Sequence, residues 1–316
     1  MSKRIPSYSE IVEAHKRIEP FVHRTPVLTS QSINTICQSQ IWFKCENLQK
    51  VGAFKFRGAI NAVLSLTQDQ LRKGVATHSS GNHAQALALA AKMNGTSAYI
   101  VMPDNSPEVK KNAVAGYGAE ITYCKPTLQD REETIEKVLK ETGATFIHPY
   151  DDARIICGQG TAARELLEVQ ADLDLVMAPV GGGGLLSGTA ISTKAINNKI
   201  AVIAAEPKGA DDAYRSFKSG EWVPSEKPQT IADGLLTSVG ELNFQIIQNY
   251  VDDIYTVSEE SIVETMQLVW ERMKIIIEPS SAVPLAAVME NPAVFRAKRI
   301  GIIFSGGNVD LTSLHF

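Results

Sequence analysis

Strand-like and helical segments alternate along most of this 316-residue chain, and this alternation is the feature that most constrains its fold. Apolar, β-branched runs predict strands at residues 41–45, 74–77, 97–102, 120–123, 174–180, 201–205 and 300–304. Most are apolar throughout, as expected for parallel strands buried on both faces. Helical patterns fall at residues 57–66, 83–94, 107–117, 128–142, 159–169, 185–196 and 259–273. The sequence therefore predicts an α/β fold with open, doubly wound sheets.

Composition narrows the possible partners. The chain carries 31 basic and 35 acidic residues, a net charge of −4, without a long basic run, so we expect no nucleic-acid partner. Its longest apolar stretches, such as residues 173–180, are far shorter than a membrane span, and the first residues lack the apolar stretch of a signal peptide. The four cysteines are scattered without metal-binding spacing. We therefore expect reduced thiols and a cytoplasmic location.

Four consecutive glycines follow the predicted strand at 174–180 and precede a helical pattern: Gly181, Gly182, Gly183 and Gly184. Glycines let backbone N–H groups approach an anion closely, and the helix N-terminus adds partial positive charge. The spacing fits neither a Walker loop nor the GxGxxG dinucleotide motif. A plain turn would need only one or two glycines, so the pattern favours a phosphate-binding loop.

Lys55 lies between Phe54 and Phe56, just before a helical pattern. On its own it is most simply a surface charge at a helix start. A lysine that attacks a carbonyl group needs a lowered pKa, however, and apolar neighbours with a nearby cation can supply one. The cation expected here is Arg57.

A second polar cluster, residues 79–83, follows the predicted strand at 74–77. We expect one Ser or Asn of the cluster to cap the following helix and the others to face a cleft. Ligands of open α/β sheets collect beyond the carboxyl ends of the strands, so these separate segments are expected to converge.

The motifs at residues 52–58 (GAFKFRG), 79–83 (SSGNH), 181–184 and 305–308 (SGGN) together resemble the fold-type II pyridoxal-phosphate enzymes, which share the tryptophan synthase β-like fold. Within them the chain is most similar to the serine racemase and serine/threonine dehydratase group. The resemblance covers essentially the whole chain. It implies two open, twisted α/β domains with the active site in the cleft between them: a large cofactor-binding domain of residues 1–68 plus 152–316 and a small domain of residues 69–151.

The resemblance also implies roles for individual residues. Lys55 would bind pyridoxal 5′-phosphate as a Schiff base and act as the base on one face of the substrate α-carbon, while Ser80 would return a proton to the other face. The other implied cofactor-binding residues are Phe54, Asn82, Gly181, Gly182, Gly183, Gly184, Gly234, Glu278 and Ser305. The implied substrate-binding residues are Ser79, Ser80, Asn82, His83, Arg131 and Thr237.

Ser80 and Ser305 bear on the type of reaction. A neutral hydroxyl at the pyridine nitrogen, as implied for Ser305, makes the cofactor a weaker electron sink and favours elimination and racemisation over transamination. Ser80 favours racemisation of serine, but the same carbanion can lose its β-hydroxyl to give a ketoacid and ammonia. Dehydration of serine, threonine or threo-3-hydroxyaspartate therefore remains open. Residues 150–152 (YDD) depart from the mammalian racemases and resemble the bacterial dehydratases.

Two regulatory sites follow from the resemblance. Glu206, the Ala210 carbonyl and Asp212 would bind Mg²⁺, or Ca²⁺ or Mn²⁺, although an acidic loop facing solvent is the simpler interpretation of the residues alone. ATP would bind as an allosteric activator between the subunits of a homodimer. The residues implied for the nucleotide are Lys50, Gln85, Tyr117, Lys274 and Asn308.

Two rival functions remain. The first is a β-replacement enzyme of the cysteine synthase type, which needs a second-substrate site for which we find no motif. The second is a ligand-sensing module that kept the fold. The joint presence of Lys55, Ser80 and Ser305 argues against that module.

Overall fold

Two sheets organise the part of the chain that this computed structural model describes, namely residues 4–79, 81–106 and 108–310. The strands are β1 (Val27–Leu28), β2 (Gln40–Cys45), β3 (Val75–His78), β4 (Ala98–Pro103), β5 (Glu120–Cys124), β6 (Thr145–Phe146), β7 (Leu175–Pro179), β8 (Ala201–Pro207), β9 (Asp253–Val257) and β10 (Arg299–Phe304). The first sheet has the order β1-β2-β10-β7-β8-β9, and the second has the order β5-β4-β3-β6. All neighbours are parallel except β1 and β2.

Helices flank both sheets. They are α1 (Tyr8–Ile18), α2 (Gln31–Cys37), α3 (Lys55–Leu64), α4 (Gln68–Lys73), α5 (Asn82–Met93), α6 (Glu108–Gly116), α7 (Leu128–Thr142), α8 (Ala153–Val169), α9 (Gly184–Ile196), α10 (Asp212–Ser219), α11 (Glu241–Tyr250), α12 (Glu259–Met273), α13 (Pro279–Glu290) and α14 (Pro292–Phe295). Within the described ranges, none of them is long and apolar enough to span a membrane.

The predicted α/β fold is confirmed, and all seven predicted strands and all seven predicted helices are present. The central strand β7 is buried along its whole length, which is why it reads as one apolar run. The sequence analysis missed β1 and β6, which have only two residues each, and the edge strand β9, whose residues are partly exposed. It also missed α13, which is buried all round and contains Pro284, so it shows no amphipathic period.

Helices α3, α8 and α9 form a tightly packed layer that connects two of the predicted motifs. A Cβ atom at Gly158 of α8 would lie 2.5 Å from the Arg57 carbonyl oxygen of α3. A Cβ atom at Gly188 of α9 would lie 2.5 Å from the Gly160 nitrogen of α8. Because α3 begins at Lys55 and α9 begins in the glycine loop, α8 sets the spacing between them.

The strands of the second sheet all fall within residues 69–151, and those of the first all fall outside that range. The apolar core beside the second sheet is nevertheless shared: Phe56 and Ile60 of α3 pack in the same cluster as Leu87 and Ile100. The division into domains at 68/69 and 151/152 stays a prediction.

Candidate active site

Lys55 is held in place by the end of strand β10. The Phe54 nitrogen donates to the Ser305 carbonyl oxygen at 2.9 Å, and the Gly307 nitrogen donates to the Gly52 carbonyl oxygen at 2.9 Å. Ala53 and Gly306 form an antiparallel bridge between these two bonds. The residues before α3 are therefore pinned to the carboxyl end of a central strand, which places Lys55 where ligands of α/β sheets bind.

The Lys55 side chain is partly buried. Its Nζ donates to the Pro149 carbonyl oxygen at 3.0 Å and lies 5.2 Å from the centre of the Phe54 ring. Burial lowers the pKa of Lys55 to about 8, although the negative charge of Glu278 acts in the opposite direction. A larger share of neutral, nucleophilic amine is therefore present near neutral pH than for an ordinary lysine.

The expectation that Arg57 lowers the pKa of Lys55 is wrong. The Arg57 guanidinium is fully buried and donates at 2.7 Å to Glu46 Oε2 and at 2.7 Å to Glu165 Oε1. Lys44 Nζ adds a second cation, 2.6 Å from Glu165 Oε2. The two carboxylates balance the two cations, so burial rather than Arg57 depresses the pKa of Lys55.

Asn82, Glu278 and Asn308 form a hydrogen-bonded group beside Lys55. Asn82 Nδ2 donates to both carboxylate oxygens of Glu278 at 3.1 Å, and Asn308 Nδ2 donates to Asn82 Oδ1 at 2.8 Å. Burial raises the pKa of Glu278 to about 7, and the nearby Asp233 adds to the shift. The structure thus brings together two implied cofactor residues and one implied nucleotide residue.

Ser305 follows β10 and is buried. Its hydroxyl lies 3.0 Å from the Ser281 hydroxyl, and Ser281 Oγ also donates to the Gly306 carbonyl oxygen at 2.7 Å. Ser281 was missed in the sequence because α13 was missed. Glu278 followed by Pro279, a typical helix start with proline at the first position, is the signal that could have revealed it.

The four glycines have a packing role as well as a backbone role. A Cβ atom at Gly182 would lie 2.3 Å from the Tyr150 ring, and Gly183 has a left-handed φ of +94°. The loop leads directly into α9, whose first N–H groups lack partners within the helix and carry partial positive charge. The loop therefore suits a phosphate, as the sequence predicted, and would hold that of pyridoxal phosphate.

The segment from His148 to Asp151 contacts both Lys55 and the glycine loop. In the sequence it was noted only because residues 150–152 differ from those of the mammalian racemases. Pro149 binds Lys55, as described above, and the Tyr150 ring covers Gly182. Asp151 Oδ1 accepts from the Leu242 nitrogen at 3.0 Å and so caps α11. This segment links the predicted amine to the predicted phosphate loop.

Only some of the implied substrate residues can be placed in relation to Lys55. His83 is buried, and burial, followed by the charge of Lys55, holds its pKa well below the usual value. Ser79 Oγ accepts weakly from the Gly81 nitrogen at 3.4 Å. Arg131 extends from α7, and Thr237 is exposed. Ser80 lies outside the described residues.

The expected side-chain cap of α5 is not found among the described residues. Helix α5 begins at Asn82, and the residue at its N-cap position is Gly81, which has no side chain to cap it. Asn82 instead turns toward Glu278. Gly234 lies on a loop beside Gly181, and its nitrogen donates to Ser280 Oγ at 3.2 Å.

Glu206 and Asp212 are both fully buried, which corrects the simpler expectation of a solvent-facing loop. The Glu206 oxygens accept from the Ala213 and Tyr214 nitrogens at 3.1 Å and 2.9 Å. Asp212 Oδ2 accepts from the Val239 nitrogen at 3.0 Å, while Asp212 Oδ1 is buried without a hydrogen-bond partner among the described residues. Burial, followed by the charge of Asp212, raises the pKa of Glu206 well above its usual value. Burial raises the pKa of Asp212 to about 6.

This pair of carboxylates fits a hard cation, with the neighbouring Ala210 carbonyl as a further oxygen. In the described part of the chain, no group of three or more His, Cys, Asp or Glu side chains could hold a metal. Carbonyl oxygens and water would therefore complete the coordination.

The implied nucleotide residues are only partly assembled within this chain. Asn308 Nδ2 donates to the Val51 carbonyl oxygen at 2.7 Å, next to Lys50, and the turn Lys50–Gly52 packs against α5, which carries Gln85. Lys274 is exposed at the end of α12, and Tyr117 follows α6. No hydrogen bond joins these last two to the others among the described residues.

The fold and these residues are those expected of an α/β enzyme in which a lysine of lowered pKa lies near a glycine loop suited to an anion. The family model of pyridoxal-phosphate dependent enzymes matches residues 18–306, and the chain belongs to this family. A β-hydroxyaspartate dehydratase from Paracoccus denitrificans (strain Pd 1222) is 51% identical over 310 residues, covering 98% of both chains. A serine racemase from Dictyostelium discoideum is 54% identical over 310 residues, covering 96% of this chain and 95% of the relative.

A solved structure of a threonine deaminase, from T.th., has a TM-score of 0.93 and 43% identity, covering 97% of this chain and 99% of that chain. The predicted family and fold are thereby confirmed. The roles of the individual site residues stay predictions.

Proposed function

We propose that this chain racemises serine and dehydrates small hydroxy amino acids such as serine and threonine, with pyridoxal phosphate bound at Lys55. The observation that carries this proposal is the Lys55 amine, with its pKa lowered to about 8, in a cleft shared with the glycine loop. The bound cofactor would withdraw electrons from the substrate α-carbon. The named activities of the relatives, a serine racemase, a β-hydroxyaspartate dehydratase and a threonine deaminase, support the substrate class.

Lys55 and Ser80 would transfer protons on opposite faces of the substrate α-carbon. A neutral Lys55 amine can remove the α-proton on its own face, and Pro149 fixes its direction by accepting its hydrogen bond. Ser80 would return a proton on the opposite face. Its assignment rests on its sequence position after β3 and on the family resemblance.

Ser305 would keep the cofactor nitrogen unprotonated. Among the described residues, the hydroxyl of Ser305 is hydrogen-bonded to the Ser281 hydroxyl rather than to a carboxylate, so Ser305 would bring no negative charge of its own to stabilise a protonated ring. This environment favours elimination and racemisation.

The proposal is tested with the cofactor-loaded enzyme and each enantiomer of serine, scoring the opposite enantiomer and the ketoacid together. Ser80→Ala should abolish racemisation and retain elimination from at least one enantiomer, while Lys55→Ala should abolish both. Racemisation that survives intact in Ser80→Ala would falsify the role of Ser80. A wild-type enzyme that forms neither product would refute the function itself.

Dehydration of threo-3-hydroxyaspartate is the second candidate. It is favoured by the β-hydroxyaspartate dehydratase relative, which is as similar as the serine racemase to within a few per cent identity. Comparing kcat/KM for threo-3-hydroxyaspartate, threonine and serine decides between them. Supplying sulfide with an activated serine tests β-replacement, which no feature of the described residues favours.

Glu206, the Ala210 carbonyl and Asp212 are proposed to bind Mg²⁺, Ca²⁺ or Mn²⁺. Two buried carboxylates with raised pKa values, one of them with an unpartnered oxygen, support a cation at this point. Addition of Mg²⁺ to chelator-treated enzyme should raise its melting temperature, and Asp212→Asn should remove this response. An equal response in the variant would place the cation elsewhere.

We also propose a homodimer in which ATP activates by contacting Asn308. Asn308 bonds Asn82 directly, which offers a path from the nucleotide to the cofactor. Leu48 and Ile276 are exposed near Asn308 and supply apolar surface for a second subunit. Sedimentation of Leu48→Glu tests the dimer, and activity with and without ATP in Asn308→Ala tests the path.

We retain the cytoplasm as the expected location, supported by four buried, free cysteines.

A further inference from the structure

The side chain of Asn243 is fully buried on α11 and joins two segments of the candidate active site. Its Nδ2 atom donates to the Gly182 carbonyl oxygen at 2.9 Å and to the Tyr150 carbonyl oxygen at 3.0 Å. Its Oδ1 atom is buried without a hydrogen-bond partner among the described residues. Stability alone would not favour an amide at this position, because an unpaired buried acceptor is costly.

The Gly182 carbonyl group is held by two donors. Besides Asn243 Nδ2, the Gly240 nitrogen donates to its oxygen at 3.1 Å. Both lone pairs of the oxygen are then used, which fixes the plane of the peptide group between Gly182 and Gly183. In a trans peptide the N–H points opposite to the C=O, so the Gly183 N–H is directed away from Asn243.

The N–H groups of this loop are available to a ligand. The nitrogens of Gly181, Gly182 and Gly183 have no hydrogen-bond acceptor within the described ranges, although all three glycines are buried. Buried N–H groups without a partner are rare in folded proteins, so a run of them indicates a bound group or water. The bonds to the Gly182 oxygen turn the one acceptor of this peptide group away from the Gly183 N–H, where it would repel an anion.

Asn243 is itself held in place at the start of α11. Asp151 Oδ1 accepts from the Leu242 nitrogen at 3.0 Å and from the Asn243 nitrogen at 3.3 Å. A Cβ atom at Gly183 would lie 2.7 Å from the Asn243 Cβ atom, so the helix packs directly on the loop. The Asn243 amide is therefore fixed before any ligand binds.

We propose that Asn243 is a positioning residue for the cofactor phosphate, acting through the Gly182 carbonyl group. By fixing that carbonyl it directs the Gly183 N–H toward the phosphate. Its second bond, to the Tyr150 carbonyl, joins the loop to the segment that contacts Lys55. The inference rests on the proposed function, in which the glycine loop holds the phosphate, and adds a residue that the sequence analysis did not single out.

The test compares pyridoxal phosphate with pyridoxal, which has the same ring and aldehyde but no phosphate. Apoprotein is titrated with each compound, and the change in absorbance gives the two dissociation constants. We expect Asn243→Leu to weaken the binding of pyridoxal phosphate about tenfold, as for one impaired hydrogen bond to a charged group, and that of pyridoxal by less than about twofold. Leucine has no N–H to donate, but its Cβ atom keeps the contact with Gly183.

Two further variants separate positioning from packing. Asn243→Asp keeps the shape of the side chain without its N–H groups, so it should show the same selective loss, and it carries the test if leucine prevents folding. Asn249→Leu is the matched control, because Asn249 is exposed on the same helix and donates only to the Gln245 carbonyl oxygen, at 2.7 Å. Its two dissociation constants should equal those of the wild type.

Inorganic phosphate gives a second measurement that does not depend on the aldehyde. It should raise the melting temperature of wild-type and Asn249→Leu apoprotein, because a ligand that binds only the folded state stabilises it. The same concentration should raise that of Asn243→Leu and Asn243→Asp by less.

An equal loss of affinity for pyridoxal phosphate and pyridoxal in both Asn243 variants overturns the inference, because a packing defect would not single out the phosphate. Wild-type affinities in both variants overturn it as well. Either result leaves the proposed function standing. Wild-type protein that binds the two compounds equally well refutes the phosphate role of the glycine loop, and this inference falls with it.

Discussion

At the scale of single residues, Lys55 and Arg57 lie two positions apart, yet burial affects them differently. Among the described residues, Lys55 has no carboxylate in hydrogen-bonding contact, so burial lowers its pKa to about 8. Arg57 is paired with Glu46 and Glu165 and stays charged. Lys55 can therefore react as a neutral amine, whereas the ion pairs of Arg57 hold α3 in place.

The depressed pKa of Lys55 predicts how apoenzyme takes up the cofactor. Only the neutral amine attacks the aldehyde, so the rate of binding should rise with pH and level off above a midpoint of about 8. Stopped-flow absorbance after mixing apoenzyme with pyridoxal phosphate measures this rate, with Lys55→Ala as the control that forms no bond. A midpoint near the value of an ordinary lysine would contradict the burial argument.

Replacing Arg57 by Met should destabilise the protein strongly. The change leaves Glu46 and Glu165 buried with Lys44 as their remaining close cation, and breaking a buried ion pair in this way costs about 3–5 kcal/mol. Denaturant unfolding measures the loss. Arg72→Met is the matched control, because Arg72 pairs with Asp69 at an exposed surface, and it should change the free energy of unfolding by less than about 1 kcal/mol. Similar losses in both variants would contradict the argument.

At the scale of elements, α8 holds the amine and the phosphate loop at a fixed separation through close contacts with α3 and α9. Gly158→Ala would drive a Cβ atom against backbone atoms of Arg57 and Gly58, which cannot rotate away. We expect a loss of about 1–3 kcal/mol in stability and a weaker affinity for pyridoxal phosphate, because α3 must shift.

Gly116→Ala is the control for this prediction, since a Cβ atom at Gly116 at the end of α6 would contact nothing within 4 Å. It should leave cofactor affinity unchanged. Both properties are measured by thermal unfolding and by cofactor titration. Unchanged cofactor affinity in Gly158→Ala would show that α3 tolerates the displacement.

At the scale of the whole molecule, several buried carboxylates have raised pKa values, and each of them stabilises the metal-free apoprotein less as pH rises. The pKa of Glu278 is raised to about 7, so between its usual value near 4.5 and about 7 the folded protein holds a proton that the unfolded chain releases. The contribution of Glu278 to stability therefore falls with rising pH across that window and levels off above it, whereas His78 and His83, whose pKa values are lowered by burial, act in the opposite direction. Asp212 acts in the same direction as Glu278 up to about pH 6.

Glu278→Gln should flatten this dependence by roughly 3 kcal/mol across the window, because the amide does not titrate. Unfolding free energies of apoprotein in chelator, measured at several pH values, provide the test. An unchanged slope in Glu278→Gln would show that Glu278 titrates normally.

Much of the fold followed from the sequence, and for local reasons. Continuous apolar runs predicted the central strands because those strands are buried on both faces. The glycine loop was visible because a side chain at Gly182 would clash with Tyr150 and because glycine adopts the positive φ of Gly183 most readily. What the sequence could not show was α13, since a helix buried all round has no amphipathic period, and with it the partner of Ser305.

The sequence by itself determined the α/β architecture, the family resemblance and the motifs around Lys55 and the glycines, because these depend on hydrophobic pattern and residue type. Only the tertiary structure decided which charges are neutralised by ion pairs, as for Arg57, and which buried oxygens lack a hydrogen-bond partner among the described residues, as for Asp212 Oδ1. It also decided that Tyr150 lies between the amine and the phosphate loop. The physical reason is that electrostatics and hydrogen bonding depend on distances between segments far apart in the chain, which local sequence does not encode.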